Sequence, residues 1–201
     1  MTVFILAAAL AVSVFLLGRT EKAVTARTVS FDPDSCVRMF HVSKVYDIVR
    51  DGGGEPRLWF ATAEGLRVLD TVRLSWRRYG LDHGLPDETV SGVGFSDSAV
   101  WVGTWNGLAR RVHGTDRFAV YEPIGALRGA RVLALAYLSG AGTVVSVDGE
   151  GLFLVSSFHE EPRALDVPGF ARGDRITCLR PDGPVLYIGG EGRRLVVFDH
   201  R

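Results

Sequence analysis

Apolar positions fall into two regimes along the chain. Residues 3–18, VFILAAALAVSVFLLG, form one uncharged apolar run, whereas beyond residue 35 the apolar positions come in short bursts broken by Gly-rich or polar turns. The first regime predicts a helix. At about 1.5 Å per residue it spans roughly 24 Å, somewhat short of a hydrocarbon core of about 30 Å. Residues 1–26 are therefore read as a signal peptide or membrane anchor, with Val24-Thr25-Ala26 offering small residues for cleavage. No Lys or Arg precedes the run, while Arg19, Lys22 and Arg27 follow it. That charge order leaves cleaved leader and retained anchor both open. Residues 27–35 follow as a linker.

The second regime is periodic. Leu58-Trp59-Phe60-Ala61-Thr62-Ala63-Glu64-Gly65-Leu66 returns as Val100-Trp101-Val102-Gly103-Thr104-Trp105-Asn106-Gly107-Leu108. It returns more loosely as Val144-Val145-Ser146-Val147-Asp148-Gly149-Glu150-Gly151-Leu152, and again as Leu186-Tyr187-Ile188-Gly189-Gly190-Glu191-Gly192, with the next leucine displaced to Leu195. Taking Trp59, Trp101, Val145 and Tyr187 as the large residue that opens each unit gives spacings of 42, 44 and 42. Trp76 and Tyr79 recur as Phe118 and Tyr121, again 42 apart. A period of this length filled with strand-like bursts belongs to blade-type β repeats and not to helical solenoids.

Each unit reads as four short strands. In the second these are Val90 to Phe95, Val100 to Thr104, Leu108 to Val112 and Phe118 to Tyr121, called A to D. Asn106-Gly107 between B and C predicts a two-residue hairpin with positive φ at both residues. The expected fold is thus all-β: a β-propeller of about four four-stranded blades, at 45–82, 90–124, 132–168 and 176–201, preceded by an N-terminal hydrophobic helix. The fourth unit stops after strand C. Cys36 to Val42 is a strand-like stretch without partners of its own, so it is expected to clasp blade four as its outermost strand, within a propeller domain of residues 36–201. The rival expectation is a fragment of a larger propeller, completed by another chain or by self-association, since open edges and faces invite pairing.

The motif VWVGTWNGL (100–108), with YGLDHGLPDETV (79–90) before it, resembles the two-component regulator propeller repeat over residues 45–199. Units one and two match well; units three and four lack an equivalent of Thr104 and the Gly-Leu-Pro. The resemblance implies a β-propeller of the kind found in periplasmic sensor modules joined to a histidine kinase. No kinase segment accompanies the repeats here.

Composition supports a folded, turn-rich chain: 47% of residues are hydrophobic and 24 of the 201 are Gly, where about 7% Gly is usual. Lys plus Arg balance Asp plus Glu at 23 each. With no basic excess to neutralise phosphates, nucleic acid is not expected as a partner. Cys36 and Cys178 lack metal-knuckle or redox spacing. They read either as a disulfide, if the chain is exported, or as two small apolar core residues.

Strand order sends the D-to-A and B-to-C connections to one face. That face collects Glu64, Trp105, Asn106, Glu150 and Glu191 from hairpins, and Asp82, His83, Asp87, Glu88 and Asp174 from linkers, so it is expected to be acidic. Trp105 stands out, because a Trp beside a tight turn suits a ligand or partner contact; packing against the neighbouring linker is the competing reading. The ligand-binding candidates are Trp105, Asn106, His83, Asp87, Glu64 and Glu150. Asp82, Asp87 and Glu88 are hard oxygen ligands, but without a dense ligand array they read as solvated turn residues, and no metal or other cofactor is expected. The five histidines are scattered and no nucleophile elbow, zinc-binding helix or phosphate loop occurs. The expectation is a periplasmic or cell-surface module that binds a small ligand or a protein without catalysis. Two alternatives stand beside it: a polysaccharide lyase or hydrolase with a site at the channel mouth, and an assembly scaffold.

Overall fold

The computed structural model describes residues 43–51, 56–96, 99–122, 127–191 and 194–199. The predicted N-terminal helix and the clasp strand 36–42 lie outside the described residues. Four antiparallel sheets follow one another along the chain. Blade 1 comprises β1 (Val45–Arg50), β2 (Arg57–Thr62), β3 (Gly65–Asp70) and β4 (Ser75–Tyr79). Blade 2 comprises β5 (Val90–Phe95), β6 (Val100–Thr104), β7 (Gly107–Arg111) and β8 (Phe118–Val120). Blade 3 comprises β9 (Val132–Leu138), β10 (Gly142–Val147), β11 (Gly151–Val155) and the two-residue β12 (Arg163–Ala164). Blade 4 has three described strands, β13 (Ile176–Asp182), β14 (Val185–Gly190) and β15 (Arg194–Asp199). The inner strands β1, β5, β9 and β13 pack in that order, as in a propeller.

Each blade hands an apolar face to the next. Trp59, Leu66 and Val68 of blade 1 pack with Val93, Val102 and Ala109 of blade 2 in one cluster. Trp101 and Leu108 of blade 2 pack with Leu135, Val145 and Phe153 of blade 3 in a second. Val144, Leu152 and Leu154 of blade 3 pack with Leu179, Ile188 and Leu186 of blade 4 in a third. Burial of side chains of this size, at about 1.5–3 kcal/mol each, is the main force holding the blades together. Trp59 and Trp101 are buried core residues, as their repeat position predicts; Tyr187 is exposed, because no further described blade covers it.

The third repeat is aligned differently from its sequence reading. Leu152 pairs with Ser146 and Leu108 with Gly103, so Val144, not Val145, occupies the Trp101 position. The spacings become 42, 43 and 43. The slip arises because Asp148-Gly149-Glu150 puts three residues in a hairpin that holds two in blade 2.

The hairpin between β6 and β7 also departs from expectation. Its central residues are Trp105 and Asn106, between the paired Thr104 and Gly107. Leu74 is the non-glycine residue with positive φ among the described residues, so Asn106 is not left-handed; Gly107 is, at φ 109°. This is a turn followed by a glycine bulge and not an Asn-Gly turn. Thr104 sets the geometry. Its hydroxyl donates to the Gly107 carbonyl at 2.8 Å and accepts from the Asn106 N–H at 3.2 Å. Thr62 does the same in blade 1, with Gly65 at 2.6 Å and Glu64 at 3.2 Å.

In blades 1 and 2 the tyrosine that follows or ends strand D latches the blade to the next one. The Tyr79 hydroxyl donates to Asp116 of blade 2 at 3.1 Å, where Arg77 and Arg111 also converge at 2.6 and 2.8 Å. The Tyr121 hydroxyl donates to the Glu160 carbonyl of blade 3. Cys178 is exposed, which corrects its reading as a buried apolar side chain; Cys36, its partner in the disulfide reading, lies outside the described residues.

Candidate functional site

One backbone bond recurs at the same end of every blade. The first residue after β2, β6, β10 and β14 donates its N–H to the carbonyl of the residue just before the blade's own inner strand. The pairs are Ala63 to Lys44 (3.0 Å), Trp105 to Thr89 (3.1 Å), Asp148 to Arg131 (2.9 Å) and Glu191 to Arg175 (2.9 Å). Side chains from hairpins and linkers are thereby held on one face, as strand order predicts.

On that face a continuous line of contacts runs through all four blades. The Lys44 ammonium lies 4.8 Å from the Tyr46 ring centre. Tyr46 meets Trp105 edge-on at 5.9 Å. The Arg131 guanidinium stacks over Trp105 at 3.8 Å, an arrangement stabilised by the ring quadrupole. Arg131 pairs with Asp148 at 3.5 Å, Asp148 with Arg175 at 3.0 Å, and Arg175 with Glu191 at 2.7 Å. Trp105 keeps 37% of its surface exposed. It therefore presents aromatic surface to solvent while Arg131 covers part of its ring.

The face is charge-mixed and not acidic as expected, because arginines pair with its carboxylates. Besides the pairs above, Glu88 meets Arg78 at 2.6 Å, Glu150 meets Arg172 at 3.3 Å and Glu64 lies 3.9 Å from Arg67. The Ser43 N–H, bonded to Glu64 at 3.0 Å, holds that carboxyl below the usual carboxylate range. Such a group stays ionised at neutral pH and is unsuited to act there as a general acid.

Several sequence candidates are engaged in local structure. Asn106 donates its side-chain N–H to the Pro86 carbonyl at 3.2 Å, tying the hairpin to the preceding linker. Asp87 accepts the Thr89 N–H at 2.6 Å. His83 lies 2.8 Å from Asp82 and edge-on to Tyr79 at 5.2 Å. Asp82 is held below its usual range by the bond to His83. The structure thus joins Trp105 with Tyr46 and Arg131, neither of which stood out in the sequence. A signal was there: Lys44, Arg131 and Arg175 each directly precede an inner strand, at Val45, Val132 and Ile176. Among the described residues no group of three or more His, Cys, Asp or Glu is placed to hold a metal ion.

No family model matches the chain, and no curated protein matches it in sequence. Solved structures share its fold. An extracellular domain assigned to a one-component system of B. thetaiotaomicron superposes with a TM-score of 0.63 at 20% identity, covering 78% of this chain and 21% of that one. A second extracellular domain from B. thetaiotaomicron, assigned to a hybrid two-component system, gives 0.62 at 20% identity, covering 78% and 22%. An ancestral GH74 enzyme gives 0.54 at 15% identity, covering 73% and 22%. The chain therefore spans about a fifth of the length of each. At such identities the likeness is one of fold, and the propeller fold hosts both binding and catalytic proteins.

Proposed function

We propose that this chain is an extracytoplasmic, non-catalytic binding module of the sensor type, whose recognition surface is the hairpin face centred on Trp105. The observation that carries the reading is the Lys44–Tyr46–Trp105–Arg131 line: exposed aromatic surface between two cations. Such a surface suits a ligand with a flat apolar face, for the indole, and a carboxylate, for Arg131 or Lys44. An acidic sugar or an aromatic acid fits that description. The apolar run at 3–18 and the fold shared with extracellular domains support the location.

Calorimetric titration with uronate disaccharides, their neutral counterparts and aromatic carboxylates tests the reading. The acidic ligands should bind, and Trp105→Ala should weaken them at least about tenfold, the scale of one aromatic anchor. Equal binding by wild type and Trp105→Ala would place the site elsewhere. Turnover of any of these sugars would refute the non-catalytic assignment.

A further inference from the structure

Among the described residues, blades 1 and 4 leave matching faces bare. In blade 1 the face turned to blade 2 is covered: Trp59 is 1% exposed, Leu66 0% and Val68 6%. Blade 4 repeats that face at Tyr187, Leu195 and Val197, in the same register: Trp59 pairs with Val68 as Tyr187 pairs with Val197, and Ala61 with Leu66 as Gly189 with Leu195. There the exposures are 38%, 72% and 59%. At the other end, Ile48 occupies in blade 1 the place that Val93 holds in blade 2, since each pairs with the strand-B residue after the tryptophan. Val93 is buried under blade 1, whereas Ile48 is 51% exposed.

We propose that a second copy of this chain covers these faces, with blade 4 of one copy packed on blade 1 of the other, head to tail. The junction continues an interface that the chain already makes within itself, because blade 4 offers what blade 1 offers and blade 1 receives as blade 2 receives. A single added strand cannot do this. It would satisfy the backbone edge of β15 but leave the sheet face bare, and only another sheet covers a sheet face. Two copies of the four described blades make eight, within the usual range of about four to eight, and two such junctions close a ring. Arg180 now reaches Asp47 of blade 1 in its own chain at 3.2 Å. Arg180 is largely exposed, and such a pair is readily given up.

Sedimentation velocity of the full chain, over about 1–100 µM to catch a small transient interface, tests this. Wild type should show a reversible monomer–dimer equilibrium. Leu195→Asp and Ile48→Asp, each at an exposed site that the fold tolerates, should each be monomeric alone. Mixing the two variants should restore a heterodimer, since one junction between them stays intact. A monomeric wild type overturns the proposal. So does association that neither variant disturbs, or association lost in Leu195→Asp but kept in Ile48→Asp, which would mean blade 4 pairing with itself.

Discussion

At the scale of single residues, buried hydroxyls and exposed carboxylates divide the work. Thr62 and Thr104 are fully buried, and each closes a hairpin with two hydrogen bonds. Thr104→Val keeps the shape but strands the Asn106 N–H and Gly107 carbonyl, so it should cost about 1–3 kcal/mol in urea unfolding. Trp105→Ala should change that stability little, because the side chain is partly exposed and holds no core together. Asp70 shows the charged side. The Arg73 N–H and guanidinium, both at 2.8 Å, draw its pKa from an ordinary 3.8 to about 2. A folded-state pKa below the unfolded one stabilises the fold above pH 3.8, and that support is lost as pH falls toward 2. Melting temperature followed from pH 5 to about pH 2 should therefore fall less steeply in Asp70→Asn than in wild type; parallel curves would show that the pair contributes nothing.

At the scale of elements, the blades were legible and their turns less so. Strands β5 and β6 lie where the sequence places them, because alternating burst and turn suffices to mark a strand. The register of blade 3 was not readable from Val144-Val145: two adjacent valines fit either face, and only the extra residue in the Asp148-Gly149-Glu150 loop decides between them. Asn106-Gly107 misled because the Thr104 hydroxyl captures the turn one residue earlier than the dipeptide suggests. Tyr46 and Arg131 escaped notice because their meeting at Trp105 brings together three different blades, which no local pattern reports. The glycines that open strand C offer a test. Gly65 has φ 99°, and a Cβ there would sit 2.5 Å from the Tyr79 carbonyl oxygen; Gly151 has φ 95° but open space. Both alanine variants carry backbone strain of about 1–3 kcal/mol. Gly65→Ala adds a clash with the latch strand and should lower the urea midpoint further than Gly151→Ala.

For the whole molecule, stability should be graded along the chain. Blade 2 is covered on both faces, whereas blade 4 is covered on one, with Leu195 and Val197 open to solvent. Local opening follows buried apolar contact. At concentrations where the chain is monomeric, native-state hydrogen exchange should find the amides of β13, β14 and β15 exchanging faster than those of β5, β6 and β7. Uniform protection across all four blades would mean that blade 4 gains its missing cover from elsewhere, and repeating the measurement on the Leu195→Asp variant would show whether that cover is a second chain.

The bonds that hold the hairpin face have a further consequence for how such a surface can change over generations. Positions 63, 105, 148 and 191 are fixed by their own backbone N–H groups, and the partners are backbone carbonyls. Any residue except proline can make that bond. The four side chains, now Ala, Trp, Asp and Glu, are thus not required for that bond. They form a small vocabulary that mutation can rewrite one word at a time while the grammar of the blades stays intact. A library varied at these four positions alone should retain a high proportion of folded members and still sample many recognition surfaces.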